Sequence, residues 1–126
     1  MIQQTQNLRV LICEDEYLLA SDLAAELAER GVAIAGIMAR VSEIQAALES
    51  DHFNANAAVL DVKLLDGDAF SVVPPMLARG MAVVFCTGYM AGDLPAEFSH
   101  LPTVKKPTDI EELIEALAHP QPQGVM

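Results

Sequence analysis

Five positions in this chain carry side chains that together suit phosphoryl transfer. They are Glu14, Asp15, Asp61, Thr87 and Lys106. The acid pair and each of the later residues come just after a short apolar run that predicts a β-strand. A carboxylate can accept a phosphoryl group, while a hydroxyl and an ammonium can bind its oxygens. In a parallel α/β sheet the carboxyl ends of the strands lie along one edge, so these side chains are predicted to meet there.

Asp61 is the candidate acceptor, because an aspartate carboxylate can attack phosphorus and form an acyl phosphate. Three carboxylates at close range repel one another unless a hard divalent cation lies among them. We therefore expect Mg²⁺ at Glu14, Asp15 and Asp61, with Asp15 a direct ligand and Glu14 bound through water or in an outer layer. The run from Glu14 to Glu16 also suits the acidic start of a helix, and both interpretations can hold.

Thr87 and Lys106 supply the groups that would bind phosphate. The Thr87 hydroxyl and the Gly88 N–H could donate to phosphoryl oxygens, although Thr87 alone also suits an ordinary strand threonine. Lys106 would neutralise the acids before transfer and pair with phosphate afterwards. Lys105 is the alternative, because adjacent strand residues point to opposite faces and only one lysine can face the site. The following Pro107 also permits a cis peptide bond that would aim Lys106.

The composition is that of one α/β domain with an acidic surface. The chain has 126 residues, with 18 acids, 7 bases and a formal net charge of −11. A domain of this length can bury a core, and its acidity argues against nucleic acid as a partner. Cys13 and Cys86 lie in apolar runs and are predicted to be buried thiols. Without a signal-peptide pattern or a bilayer-spanning run, a cytoplasmic protein with no membrane partner is expected.

Strand-like and helix-like segments alternate, which predicts βα units around a parallel sheet. The predicted strands are residues 8–13, 32–38, 57–60, 81–85 and 103–105. The predicted helices are residues 16–30, one opening at Ser42, one from near Pro74 to Arg79, and one opening at Thr108 and stopped by Pro120. The stretch from Met90 to Pro102 is the weakest helix candidate, because glycine and proline interrupt it, and any helix there should be short and mobile.

Local patterns also predict how the helices pack and begin. The first helix should bury a leucine stripe and end at Gly31. The stripe is Leu19, Leu23 and Leu27. Two capping boxes are predicted. They pair Ser42 with Gln45 and Thr108 with Glu111.

The chain resembles the receiver domain of bacterial two-component response regulators over the range from Leu8 to His119. The motifs that carry the resemblance are Glu14-Asp15, Asp61 at the end of AAVLD, Asp66-Gly67, Thr87-Gly88 and Lys106-Pro107. The resemblance implies a flavodoxin-like (βα)5 three-layer sandwich, with a parallel sheet of order 2-1-3-4-5 and five helices. It implies that Asp61 takes a phosphoryl group from a phosphohistidine of a sensor histidine kinase or phosphotransferase. It also implies that the Lys63 carbonyl is a further Mg²⁺ ligand.

A narrower likeness lies in residues 83–89, VVFCTGY. This segment is similar to the Phe-Ala-Thr-Gly-Tyr signature of single-domain alphaproteobacterial regulators called FAT GUY, with Cys86 in place of the usual alanine. That subgroup lacks the aromatic switch residue of the wider family, and Thr103 occupies the switch position here. The departure puts the usual switching mechanism in doubt and makes Tyr89 a candidate substitute.

We therefore expect one receiver domain over residues 1–126, with a core at 8–119 and flexible tails at 1–7 and 120–126. It would be a monomer that binds a kinase or phosphotransferase and a downstream protein. It would be no enzyme beyond its own phosphorylation and dephosphorylation. Because the chain ends at Met126, output is expected through protein contact or phosphate flow.

Other functions fit the residues less well. The alternative is a receiver-like interaction module that is never phosphorylated. It stays open because Glu14 stands in place of an aspartate and Cys86 in place of the usual alanine. An aspartate-nucleophile phosphatase needs a second acid two residues after the nucleophile, where this chain has Lys63. A flavin-binding module is disfavoured because the acidic run from Glu14 to Glu16 would repel phosphate.

Overall fold

A computed structural model of the chain describes residues 7–88 and 94–118. The strands within these ranges are β1 Arg9–Cys13, β2 Ala33–Met38, β3 Ala57–Leu60, β4 Lys63–Leu64, β5 Gly67–Asp68, β6 Ala82–Thr87 and β7 Thr103–Lys105. The α-helices there are α1 Tyr17–Glu29, α2 Val41–Leu48, α3 Val73–Ala78 and α4 Ile110–Ala118. Tyr89, Pro120 and the two predicted tails lie outside the described residues, except for Asn7 at the end of the first tail.

Five strands form one parallel sheet in the order β2-β1-β3-β6-β7. The short strands β4 and β5 form a separate antiparallel hairpin directly after β3. Counting only the strands of the sheet gives the order 2-1-3-4-5, so the predicted flavodoxin-like α/β fold is confirmed. The order reverses between β1 and β3, and open α/β sheets bind ligands beside such a reversal.

The core has one apolar layer on each face of the sheet. Successive residues of β1 point to opposite faces, so Leu11 packs with α2 and α3 while Ile12 packs with α1 and α4. In the first layer the rings of Phe70, Phe85 and Phe98 lie 5.9 to 6.4 Å apart. Helices therefore cover both faces, as the predicted three-layer sandwich requires.

The described residues contain four α-helices rather than the five that the resemblance implies. Between β6 and β7, the described part of the predicted weak helix holds only a 3-10 turn, Ala96–Phe98. Pro95 precedes this turn, and a proline in the middle of an α-helix would remove a backbone hydrogen bond. The prediction that any helix in this stretch is short is thus confirmed for residues 94–102.

The leucine stripe predicted for α1 is partly wrong. Leu27 is buried and Leu23 is half-buried, but Leu19 is 46% exposed. At 3.6 residues per turn, positions eight residues apart differ by about 80° around the helix, so Leu19 and Leu27 are not equally buried. Ala20 takes its place in the core. The predicted end of the helix is confirmed, since Gly31 has a φ of 89°.

Both predicted capping boxes are wrong. The helix α2 begins at Val41, and the first N–H groups of α2 are bound by Asp66, a residue distant in sequence. In α4 the Asp109 carboxylate accepts from the N–H groups of Glu111 and Glu112, at 3.0 and 3.1 Å. Thr108 instead places its hydroxyl 3.0 Å from the sulfur of Cys86.

No helix among the described residues is long and apolar enough to cross a membrane.

Candidate functional site

The carboxyl edge of the sheet brings the predicted site residues together. Asp61 follows β3, and its N–H donates to the Cys13 carbonyl at the end of β1 over 2.9 Å. Lys106 follows β7, and its N–H donates to the Thr87 carbonyl at the end of β6 over 3.1 Å. Glu14 directly follows β1. Residues from four separate segments therefore lie at one end of adjacent parallel strands.

Lys106 is the lysine that contacts the acids. Its Nζ donates to Glu14 Oε1 at 2.7 Å and to Asp61 Oδ2 at 2.8 Å. The side chain of Lys106 is 27% exposed, against 9% for Glu14 and 12% for Asp61, so both ion pairs are largely shielded from water. Lys105 is exposed. The tertiary structure thus selects Lys106, whose peptide bond to Pro107 is cis.

Three carboxylates lie close together here, and two of them bind the Lys106 ammonium. Glu14, Asp15 and Asp61 each offer an oxygen, and these oxygens lie within 4.8 Å of one another. Hard divalent cations prefer carboxylate oxygens, and three negative charges against one positive leave an excess that such a cation would balance. The three acids could therefore hold a metal ion. Together with Lys106 they are called the acid–lysine cluster below.

Lys63, the other predicted metal ligand, lies in the hairpin next to the acceptor candidate. Its N–H donates to Asp61 Oδ1 at 3.4 Å. The Lys63 side chain is exposed, and this contact with the cluster is made by its backbone N–H. With Lys106 on Oδ2, both oxygens of the Asp61 carboxylate have a donor, which restricts how the carboxylate can turn.

The site shifts the protonation of two of its groups. Burial raises the pKa of Glu14, and Asp15 and Asp61 raise it further, against the hydrogen bond from Lys106. Burial by itself lowers the pKa of Lys106, but its bonds to Asp61 and Glu14 outweigh this and hold the pKa above its ordinary value. Lys106 is therefore charged at neutral pH, while Glu14 titrates at a higher pH than an ordinary glutamate.

Thr87 is buried at the end of β6, with 1% of its surface exposed. The exposed Gly88 follows it at the same edge of the sheet. The hydroxyl and the N–H predicted to bind phosphate therefore come from the strand that pairs with β7, the strand leading to Lys106. Tyr89 lies outside the described residues.

A cavity of about 520 Å³ adjoins the cluster on the α1 side of the sheet. Ile12 and Val59 from the sheet and Leu19 and Leu23 from α1 line it, together with Glu14, Asp61 and Lys106. Cys86 also lines it, and burial raises the pKa of its thiol. Sequence reasoning did not find this cavity, because it results from the packing of α1 against the sheet. It gives the acceptor candidate an apolar surface on one side.

Comparison with protein-family models and with curated protein sequences gives no match. Among solved structures, the chain is similar to SdrG from Sphingomonas melonis Fr1, at 29% identity and a TM-score of 0.74, over 88% of this chain and 93% of that one. It is similar to the response regulator REC domain of PhyR from Erythrobacter litoralis, at 26% identity and a TM-score of 0.73, over 94% of this chain and 96% of that one.

A response regulator protein from Burkholderia pseudomallei also matches, at 21% identity and a TM-score of 0.72, over 88% of this chain and 66% of that one. That protein was solved with a phosphorylated aspartic acid, a calcium ion and citrate. Further matches are receiver domains described as CheY-like. Of these matches, SdrG and the PhyR REC domain exceed 25% identity, and they support a response-regulator role in two-component signalling. The chain therefore has the flavodoxin-like α/β fold of CheY-like receiver domains, with the acid–lysine cluster at the carboxyl edge of its sheet.

Proposed function

We propose that this chain is a response regulator that accepts a phosphoryl group on Asp61 from a phosphohistidine of a sensor histidine kinase or phosphotransferase. The observation that carries the proposal is the Lys106 ammonium, 2.8 Å from Asp61 Oδ2 and also bound to Glu14. Mg²⁺, held by Glu14, Asp15, Asp61 and the Lys63 carbonyl, would neutralise charge on the phosphoryl oxygens.

The contacts of Asp61 suit an acceptor. Lys106 and the Lys63 N–H orient its carboxylate before transfer. An Asp61 oxygen would then attack phosphorus, and the bond from phosphorus to the donor nitrogen would break, with the electron pair staying on nitrogen. Afterwards Lys106 would pair with the new phosphate, while the Thr87 hydroxyl and the Gly88 N–H donate to its oxygens.

The neighbours add support at the level of the fold. The Burkholderia pseudomallei protein carries a phosphorylated aspartic acid and a calcium ion, and its fold matches that of this chain. We assign Mg²⁺ rather than Ca²⁺ here, because Mg²⁺ keeps several waters and needs few carboxylates besides phosphate oxygens.

We further propose that the chain belongs to the FAT GUY subgroup. The segment VVFCTGY and the small Thr103 at the switch position support this assignment. Phosphorylation would add charge beside Thr87 and reorder the segment that follows it. Output would pass from a monomer through protein contact or phosphate flow, with no other catalysis and with no nucleic acid as partner.

The test uses acetyl phosphate as donor and the intact mass of the purified protein as readout. With Mg²⁺ the wild type should gain one phosphoryl group, and Asp61→Asn should gain none. Asp68→Asn is the matched control, because Asp68 lies in the adjoining hairpin and its carboxylate accepts from the Phe70 N–H rather than from a residue of the cluster. If Asp61→Asn were labelled as much as the wild type, Asp61 would not be the acceptor. An unlabelled wild type, also with phosphorylated kinases as donors, would favour the interaction module.

A further inference from the structure

The hairpin that follows Asp61 is tied to the start of α2. Asp66, at the tip of the hairpin, accepts from the Val41 N–H at 2.6 Å and from the Ser42 N–H at 3.1 Å, one with each carboxylate oxygen. The N–H of Leu65, its neighbour, donates to the Ala39 carbonyl at 2.9 Å. Three hydrogen bonds thus join two segments that lie more than twenty residues apart in sequence.

The tie has an electrostatic basis. The first N–H groups of a helix have no partner within the helix, and they lie at the positive end of its dipole. An ionised carboxylate that spans two of them forms charge-assisted hydrogen bonds. Partial desolvation raises the pKa of Asp66, but the bonds from Val41 and Ser42 outweigh it, so the net pKa is below the ordinary value. Asp66 is therefore charged at neutral pH.

The same hairpin carries the backbone that contacts the acceptor. Lys63 pairs with Asp68 across the hairpin, and Leu64 pairs with Gly67. The Lys63 N–H is the donor to Asp61 Oδ1. Because only two residues separate Lys63 from Asp66, a movement of the tip would be transmitted to the Lys63 backbone.

We propose that Asp66 is a positioning residue, which ties the hairpin to α2 and so holds the Lys63 backbone against the Asp61 carboxylate. The same tie would also hold the Lys63 carbonyl in position to bind the metal, and this part of the proposal rests on the proposed function. Asp66 touches neither the metal nor the phosphoryl group in this scheme. Its effect passes entirely through the hairpin.

The experiment compares Asp66→Ala and Asp66→Asn with wild type, with Asp68→Asn as control. Asp68→Asn removes the same charge from the same hairpin but leaves the bonds to α2 intact. The first readout is metal-free amide hydrogen exchange at Lys63, Val41 and Ser42, measured by NMR. The second is the Mg²⁺ dissociation constant from an NMR titration without phosphodonor.

In Asp66→Ala, exchange at Lys63 should accelerate together with exchange at Val41 and Ser42. The Mg²⁺ dissociation constant should rise by about tenfold or more, as is typical when a group supporting a metal ligand is lost. Asp66→Asn keeps one acceptor oxygen and should fall between wild type and Asp66→Ala. Asp68→Asn should match wild type in both readouts.

Unchanged exchange at Lys63 in a folded Asp66→Ala protein would overturn the positioning role. If Asp66→Ala does not fold, Asp66→Asn decides by the same criterion. A wild type that binds no Mg²⁺ or is never phosphorylated would count against the proposed function instead. In that case the metal-free exchange at Lys63 still decides whether Asp66 positions the hairpin.

Discussion

The charge balance of the site depends on single residues, and Lys106 contributes most to it. Its pKa is raised in the folded state, so its stabilising contribution is complete below its ordinary value of 10.5 and is lost as pH rises through the folded value. The pKa of Glu14 is also raised, chiefly by burial, so this group costs stability as pH rises above its ordinary 4.5. At neutral pH the two ion pairs of Lys106 therefore offset part of the free-energy cost of burying Glu14 and Asp61.

Replacing Lys106 by methionine should destabilise the metal-free protein. The change leaves Glu14 and Asp61 without their ammonium, and loss of one partner of a largely buried pair should lower the unfolding free energy by about 1–2 kcal/mol after allowance for solvent. Urea unfolding at pH 7 with a chelator measures the effect. Lys105→Met is the matched control, because Lys105 is exposed, and it should change stability by less than about 0.5 kcal/mol. Equal losses in the two variants would contradict the assignment of the site lysine.

Cys86 should resist alkylation in the folded protein although it lines a cavity. Burial raises the pKa of its thiol from an ordinary 9.0, so at pH 8 less reactive thiolate is present than in the unfolded chain. Because the pKa of Cys86 is higher in the folded state, the folded state holds the proton more tightly, and stability should fall as pH rises above 9.0. Iodoacetamide labelling followed by peptide mass spectrometry should show slow modification in buffer and fast modification in urea. Equal rates would contradict this.

At the scale of elements, contacts distant in sequence hold the start of α2 and the hydroxyl of Thr108 beside the start of α4. The N-terminus of α2 is bound by the hairpin residue Asp66, and α4 is capped by Asp109 while Thr108 contacts Cys86. The sheet shows the same dependence, since β1 pairs with β2 and β3 on either side. The loops at the carboxyl edge are therefore held by elements from several parts of the chain.

Asp109→Ala should weaken α4 more than Thr108→Ala. Asp109 binds two N–H groups of the first turn, and loss of such a cap costs about 1 kcal/mol. Thr108→Ala removes only the contact with the Cys86 sulfur, a weak hydrogen bond, and should cost less. Urea unfolding of the two variants provides the comparison. A larger loss in Thr108→Ala would restore the predicted capping box.

At the scale of the whole molecule, net charge and metal binding are linked. A formal charge of −11 makes the compact state repel itself, and the acid–lysine cluster concentrates part of that charge in a small volume. A ligand that binds the folded state alone stabilises it by mass action. Divalent cations should therefore act on this protein in two ways, by general screening and by binding at the site.

Mg²⁺ should stabilise the wild type more than NaCl does at equal ionic strength. At about one hundred times the dissociation constant, the specific part should be about 2.7 kcal/mol. Asp15→Asn should lose most of that part and keep the response to NaCl, because Asp15 belongs to the oxygen cluster. Thermal unfolding in matched salts measures both. Identical responses to the two salts in the wild type would argue against a metal site.

The sequence by itself determined the alternation of strands and helices and the chemical parts of the site, whereas the order of the sheet was predicted only from the resemblance to receiver domains. Apolar runs and their periodicity are local, and burying them on both faces of a sheet leaves few arrangements. The residues Asp61, Thr87 and Lys106 could be named for the same reason, since each follows such a run.

The tertiary structure alone decided which lysine contacts the acids, which leucines of α1 are buried, and that Asp66 binds α2. Lys105 and Lys106 have the same chemistry and nearly the same place in sequence, so only the path of the chain after β7 separates them. The bonds of Asp66 to Val41 and Ser42 join groups far apart in the chain. A local pattern predicts hydrogen bonds between near neighbours, whereas these form only once the sheet and its loops have closed.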